Sequence, residues 1–290
     1  MSSHEPDRPR KKKYRQINFI EGFIMNFAAT LLTHPLELVR INMQAKTLRV
    51  PPVKLPQILK LILSSGPAGF YFGFHSAAVR CGVQTTATYF VYHRLTDHKY
   101  IQRLKVYDTI SVHGVCNFVG GLIATPFAKL AVMRQTDLSR KIYSKRNYKN
   151  TWRSLRCIYL KGGFAYVFYG WQIYSICNAT RAMLWFPVNK LVMSGLEYIQ
   201  DFRGKQFLHE ISAMSVTGSL LAFLFTPLDI LVTLSLNCTS YRGAPLWAIC
   251  RTIFKRRGYK GFFLGGKFSM VTLMLHSVLV STLVHVIHDI

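Results

Sequence analysis

Glu37, Arg40 and Gln44 follow Pro35 at two, five and nine positions. In a helix, spacings of three and four residues fall on one face. A proline inside a helix removes a hydrogen bond and bends the axis. An acid, a base and an amide are therefore presented together just past a kink. Pro126 and Pro227 stand in similar apolar surroundings, ATPFA and FTPLD beside THPLE. Three bent helices converging at one end would set the residues after each proline around a common axis. Opposite charges there make a gate that closes by pairing and opens by separating. Glu37 and Arg40 also fit a plain i, i+3 pair within one helix, so the gate reading leans on the repetition.

The elements that must carry these residues are long and apolar. Six stretches stand out, Ile17–Met43, Gly69–Arg94, Tyr107–Met133, Gly163–Leu196, Leu208–Leu236 and Gly265–Ile287. Each reaches the roughly 20 residues that cross a bilayer core. Arg80, Lys129, Arg181, Lys190 and Lys267 interrupt them. Ionisable groups in such segments face a bundle interior or a watery cavity, which argues for transport over simple anchoring. Shorter amphipathic segments lie between, Leu55–Leu63, Thr151–Leu160 and Pro245–Lys255, with Trp152, Leu155 and Ile158 spaced as one face of a surface helix.

The long–short–long unit repeats. The three prolines are 91 and 101 residues apart. A second landmark is a glycine pair flanking aromatics: GPAGFYFG (Gly66, Gly73), GFAYVFYG (Gly163, Gly170) and GYKGFFLG (Gly258, Gly265), with second glycines 97 and 95 apart. The chain divides accordingly into a basic tail at 1–16 and repeats at 17–100, 101–200 and 201–290. The expected fold class is an all-α membrane protein of six transmembrane helices. Gly218 with Ala222, and Gly120 with Gly121, are small residues suited to close helix packing.

Half of the chain is hydrophobic and 17% is charged, yet the net charge is +25. That balance suits a polytopic membrane protein with basic loops, or a nucleic-acid binder. The runs Arg8–Arg15, Arg140–Lys149 and Arg251–Arg257 sit between apolar segments, so they read as loops and no nucleic-acid partner is expected. The six cysteines form no CxxC, which removes zinc-ribbon and thioredoxin chemistry. No GxSxG, P-loop, GxGxxG or HExxH is present, so neither an enzyme nor a cofactor is expected. His285 and His288 lack a third metal ligand nearby. The polar N-terminus, with Glu5, Pro6, Asp7 and Pro9, fits neither a signal peptide nor an amphipathic presequence. The glycosylation patterns at Asn178 and Asn237 lie in or beside apolar segments and read as chance.

Pro35-Leu36-Glu37-Leu38-Val39-Arg40, its two partial copies and the aromatic-glycine elements resemble the mitochondrial carrier family over nearly the whole chain from Ile17. TPFAKLAVMRQTD and RNYKNTWRSL are similar to the second repeat of its 2-oxoglutarate/malate group. The resemblance implies a pseudo-threefold bundle with short amphipathic matrix helices in the mitochondrial inner membrane. It also implies a small anionic substrate, cardiolipin as a lipid partner and a monomeric state.

The same resemblance implies a matrix gate at Pro35, Glu37, Arg40, Gln44, Pro126, Gln135, Pro227 and Asp229. Departures are plain: Ala128 and Ala131 replace both charges of repeat 2, and Val232 and Leu236 replace the base and glutamine of repeat 3. Lys129, one residue past the lost acid position, is a candidate source of compensating charge. The opposite gate has His93, Lys190 and His285 where the family has acids, and these read as ordinary interfacial residues. The implied substrate contacts are Arg80, Cys177 and Thr272, with Asn178 beside them and Arg181 and Lys267 as sources of relocated charge. Arg80 suits a carboxylate, because a guanidinium offers two parallel hydrogen bonds. Its other reading is a charge paired inside the bundle. The leading expectation is a loosely coupled carrier of dicarboxylates such as 2-oxoglutarate and malate, working by alternating access. The alternative is a non-transporting carrier-like adaptor or receptor.

Overall fold

In the computed structural model, residues 19–48, 54–96, 106–138, 145, 146, 148, 150–199, 206–238 and 245–289 are described. The basic tail and most of the run Arg140–Lys149 lie outside the described residues. Among those described, the secondary structure is helical. Six long helices are α1 (Phe19–Ala45), α3 (Phe74–Thr96), α4 (Val106–Asp137), α6 (Trp171–Ile199), α7 (Gln206–Leu236) and α9 (Gly266–Asp289). Three shorter ones, α2 (Leu55–Leu63), α5 (Thr151–Val167) and α8 (Leu246–Arg257), fall between the members of each pair. The long helices close a ring in the order α1, α3, α4, α6, α7, α9 and back to α1. Length and composition alone pick out three segments able to cross a membrane, Thr109–Asp137, Phe207–Leu236 and Tyr259–Ile287. Helices α1, α3 and α6 carry more polar residues, among them Asn26, Thr30, Gln84, Thr88 and Asn178, which face the centre of the ring.

The prolines Pro35, Pro126 and Pro227 all lie inside helices, α1, α4 and α7. Past each proline the helix packs on its own short helix. Leu38 and Val39 meet Ile58 and Ile62; Leu130 and Met133 meet Ile158; Ile230, Leu231 and Leu234 meet Ile249 and Ile253. These positions recur with helical period on both partners, which is what makes the short segments fold against the long ones rather than extend.

On α5, Trp152 is 68% exposed and edge-on to Phe127, while Thr151, Ser154 and Ile158 are buried, so polar residues share the buried face. One detail of the short helices differs from the sequence reading. Helix α5 runs past Leu160 to Val167, with a break at Gly163 (φ 67°), so the aromatic segment after Gly163 belongs to α5 and its turn rather than to the following long helix.

All six landmark glycines have positive φ. The second of each pair carries a further constraint. A Cβ at Gly73 would sit 3.1 Å from Cγ of Gln135, one at Gly170 3.1 Å from Cδ2 of Leu236, and one at Gly265 3.5 Å from Cγ of Gln44. The glycine turn of each repeat thus rests on the residue nine past the proline of the next, and the third returns to the first. The packing glycines also sit at seams: Gly120 against Thr88 of α3, Gly121 against Ser175 of α6, and Gly218 against Leu273 and Ser277 of α9.

Gly73→Ala is expected to lower the thermal unfolding midpoint of the detergent-solubilised chain, since φ of 80° and the Gln135 contact together oppose a Cβ, at a cost of about 1–3 kcal/mol. Gly195→Ala, in α6 with open space where its Cβ would go, is expected to leave the midpoint unchanged or raise it slightly.

Candidate binding cavity

The ring encloses a cavity of about 1360 Å³. Its walls are hydroxyls and amides: Asn26, Thr30 and Thr33 on α1, Gln84, Thr85 and Thr88 on α3, Asn117 on α4, Asn178 on α6, and Thr272 on α9. At one end it reaches His93, Thr96 and Val284, near the ends of α3 and α9, and His93 is exposed. At the other end lie Glu37, Arg40, Arg80, Arg181 and Asp229.

Those five residues form one continuous chain of ion pairs. Arg80 Nη2 is 3.4 Å from Glu37 Oε1, and Arg40 Nη2 is 3.7 Å from the same oxygen. Arg40 Nη1 is 3.5 Å from Asp229 Oδ2, and Arg181 Nη2 is 2.6 Å from Asp229 Oδ1. Helices α3, α1, α7 and α6 are joined in that order. Helix α9 adds Ser269, whose hydroxyl is 3.5 Å from Asp229 Oδ2. Three guanidiniums face two carboxylates, so the floor carries one positive charge in excess. Nε of Arg40 and of Arg181 is buried without a hydrogen-bond partner.

Helix α4 brings no charge to this level. Ala128 and Val132 instead pack with Ile41, Val232 and Leu236 in an apolar core. Closure is ionic around α1 and α7 and apolar where α4 meets them. One layer further from the rim, the Thr233 hydroxyl donates to Gln44 Oε1 (2.8 Å), and Asn42 Nδ2 donates to the Gln135 carbonyl (3.1 Å). The Gln135 side-chain amide is buried without a partner.

The structure brings most of the sequence-singled residues together. Glu37, Arg40 and Asp229 stand in the floor. Arg80, Asn178, Arg181 and Thr272 line the cavity, the Thr272 hydroxyl donating to the Phe268 carbonyl (2.6 Å). Cys177 is buried behind the floor, its Sγ 3.7 Å from Asp229 Oδ1. Of the two readings of Arg80, pairing inside the bundle is what this conformation displays.

Lys129 does not face the gate. Its Nζ donates to the Tyr166 carbonyl (2.7 Å) and lies 3.9 Å from the centre of the Tyr166 ring. One helical step past Ala128 turns it outward toward α5. Lys267, which is exposed, also lies outside the cavity, so it relocates no charge there. At the rim Lys190 is exposed, and His285 Nε2 pairs with Glu210 Oε2 at 2.7 Å.

Sequence reasoning missed a second tie at the closed end. The backbone N–H of Arg146 donates to both Asp137 oxygens at 2.9 Å, and its guanidinium reaches the Asn237 carbonyl and Oδ1 at 3.0 Å. Thr136 also donates to Asn237 Oδ1 (2.9 Å). The only sequence signal was a polar residue at the end of an apolar helix. Tyr174, which donates to Gln84 Oε1 across the ring (2.7 Å), was also missed.

A ring of helices around a polar cavity, closed at one end by ion pairs just past Pro35 and Pro227, suits a small-solute carrier. The family described as "Mitochondrial carrier protein" matches residues 12–101. The mitochondrial citrate transporter F of Aspergillus niger is 24% identical over 295 residues, covering 96% of this chain and 91% of that protein. The mitochondrial dicarboxylate carrier of Caenorhabditis elegans is 25% identical over 89% of this chain and 88% of its own length. The mitochondrial dicarboxylate transporter of Saccharomyces cerevisiae is 27% identical over 72% of this chain and 71% of its own. The chain thus matches the mitochondrial carrier family over residues 12–101 and is similar to mitochondrial citrate and dicarboxylate transporters over most of its length.

Asp229→Asn is expected to destabilise the fold by about 3–5 kcal/mol, because it strips the shared carboxylate from two partly buried arginines. Lys267→Ala, whose side chain is exposed, is expected to leave the unfolding midpoint within about 0.5 kcal/mol of the parent. Thermal unfolding in detergent checks both.

Proposed function

We propose that this protein is a solute carrier of the mitochondrial inner membrane that exchanges small anionic metabolites, dicarboxylates foremost, by alternating access. The observation that carries the reading is the polar cavity, which reaches the rim at one end and is floored at the other by a positively charged chain of ion pairs. A cavity with excess positive charge attracts anions and disfavours cations. The citrate and dicarboxylate transporters among its relatives support the same class of solute.

On this reading α1, α3, α4, α6, α7 and α9 are six spans, and 17–100, 101–200 and 201–290 are three repeats about a pseudo-threefold axis. The cyclic contacts of Gly73, Gly170 and Gly265 support that symmetry. Glu37, Arg40 and Asp229, braced by Gln44 and by Gln135 at its own position, form the matrix gate past Pro35, Pro126 and Pro227. Arg80, Arg181, Asn178 and Thr272 bind substrate, with Cys177 at the contact position behind them. Both termini face the intermembrane space and the short helices face the matrix, with cardiolipin as lipid partner and the monomer as working unit.

Transport follows from the geometry. An anion enters past His93 and descends the hydroxyl and amide walls to the arginines. Separation of Arg40 from Asp229, and of the arginines of α3 and α6 from Glu37 and Asp229, releases the closed end. The apolar seam at Ala128 and Val132 holds no ion pair, so the closed state is less firmly latched there. The specific observation favouring a non-transporting adaptor is this same loss of charge from α4.

Purified protein in cardiolipin-containing liposomes is expected to take up labelled malate or 2-oxoglutarate, faster with internal counter-substrate than without. Arg80→Ala is expected to reduce that exchange by about tenfold to a hundredfold, the worth of a charge-assisted hydrogen bond. No uptake of either anion by folded, inserted protein would favour the adaptor.

A further inference from the structure

We infer that His276 is a proton site that loads together with the anion: a dicarboxylate held in the cavity takes one proton onto the His276 imidazole, and a monoanion takes none. The inference rests on the reading of the cavity as an anion site.

Three observations carry it. The first is the charge balance of the cavity. Glu37 and Asp229 answer two of the three guanidiniums, so one positive charge is left over. No other lysine, arginine, aspartate or glutamate lines the described cavity. That single charge balances a monoanion. A dianion brings one negative charge too many, and an unbalanced charge away from water is costly. One proton removes the imbalance.

The second is the place of His276. It lines the cavity from α9, one turn above Thr272 and seven residues above Ser269, about 10 Å along the helix axis. Glu37 and Arg80 act on it electrostatically across the cavity. The charge of a solute lodged beside Arg80 reaches it in the same way. Of the other cavity histidines, His113 of α4 is stacked on Tyr92 and His93 stands exposed at the rim.

The third is that the ring is uncommitted. Among the described residues no hydrogen bond or ion pair holds it, whereas the groups around it are engaged. From α1, Glu37 faces Arg80 and Arg40, and His34 turns to the Phe72 carbonyl. From α3, beside Arg80, Cys81 accepts from the Thr30 hydroxyl. From α7, Asp229 holds Arg40 and Arg181, Glu210 pairs with His285 towards the rim, and His209 turns to the Met193 carbonyl. An imidazole changes charge at about pH 6.5 in water, so a neighbouring carboxylate can decide its state. The proton comes from water at the open rim and forms an N–H bond on the free ring nitrogen; no other bond changes. Exchange of a dianion for a monoanion then moves a proton across, and exchange of like for like moves none.

The test is calorimetric titration of malate into the full-length purified chain at about pH 7.5, run in Hepes and again in Tris, whose different heats of ionisation count the protons taken up. Both malate carboxylates are ionised at that pH. The parent is expected to take up about one proton per malate, and to bind malate about tenfold more tightly at about pH 7.5 than at about pH 8.5. Tightening as pH falls is the sign required when the loaded state holds the extra proton, and the window lies above the ordinary imidazole value, where the empty site is unprotonated. His276→Gln and His276→Asn are expected to take up no proton and to vary less than about twofold over the same window. His113→Gln is expected to keep the parent's proton uptake. Malate monomethyl ester, with one charge, is expected to bind the parent without a proton. Thermal unfolding establishes that each variant is folded.

Malate binding by the parent without proton uptake overturns the inference, whether or not any variant folds. Undiminished uptake in a folded His276 variant also overturns it, as does loss of uptake in His113→Gln or equal uptake with the half-ester. In each of these cases the anion site stands. If the parent binds neither malate nor its half-ester, the anion-site reading falls and the inference with it.

Discussion

Two carboxylates, Glu37 and Asp229, are shared among three guanidiniums inside a helix bundle, and much of the architecture follows from that constraint. A buried charge is tolerable only when paired and hydrogen-bonded. Neither acid lies on a helix that also supplies all of its bases. Helices α3 and α6 therefore have to lean against α1 and α7 at one level, where Arg80 meets Glu37 and Arg181 meets Asp229. That level becomes the floor. Above it the helices diverge around hydroxyls and amides that water or a polar solute can satisfy.

The floor is not evenly built. Around α1 and α7 it is electrostatic, while at α4 the small Ala128 and the apolar Val132 close it by packing. An ion pair opens when its partners are offered other partners. An apolar contact opens only by exposing surface. On the proposed reading, a charged solute would act directly on the ionic part of the floor and only indirectly on the apolar part. The outer layer is more uniform. Each long helix past its proline is bound to its own short helix by branched aliphatic side chains, and each glycine turn rests on the next repeat.

The glycine turns and the helix prolines were legible because backbone demands leave fixed residue types. A turn at positive φ selects glycine, and a kink selects proline, whatever the neighbours are. The post-proline acids and base were legible for the same reason, since their spacing defines a helix face. Partners separated by long stretches of chain were not. Nothing local shows that Arg80 would reach Glu37, 43 positions away, or that Arg181 would reach Asp229, 48 positions away. Lys129 shows how little a residue's position beside a motif decides: it is fully buried, yet it turns to the rings of Tyr166 and Tyr169 rather than to the gate. Apolar spacing on a short helix also does not tell which of its residues pack inward: of Trp152 and Ile158 on one stripe, the first is exposed and the second buried.

The central claim is that the ion-pair chain seals the cavity at one end while the rim admits solute. The most direct measurement places a single cysteine at Asn117, on the α4 wall of the cavity, in a chain whose native cysteines are replaced by serine. A membrane-impermeant thiol reagent is then applied to each side of oriented proteoliposomes in turn. The account predicts modification from the rim side only, in the absence of substrate. Equal modification from both sides, or modification only from the side beyond Glu37 and Asp229, would contradict it.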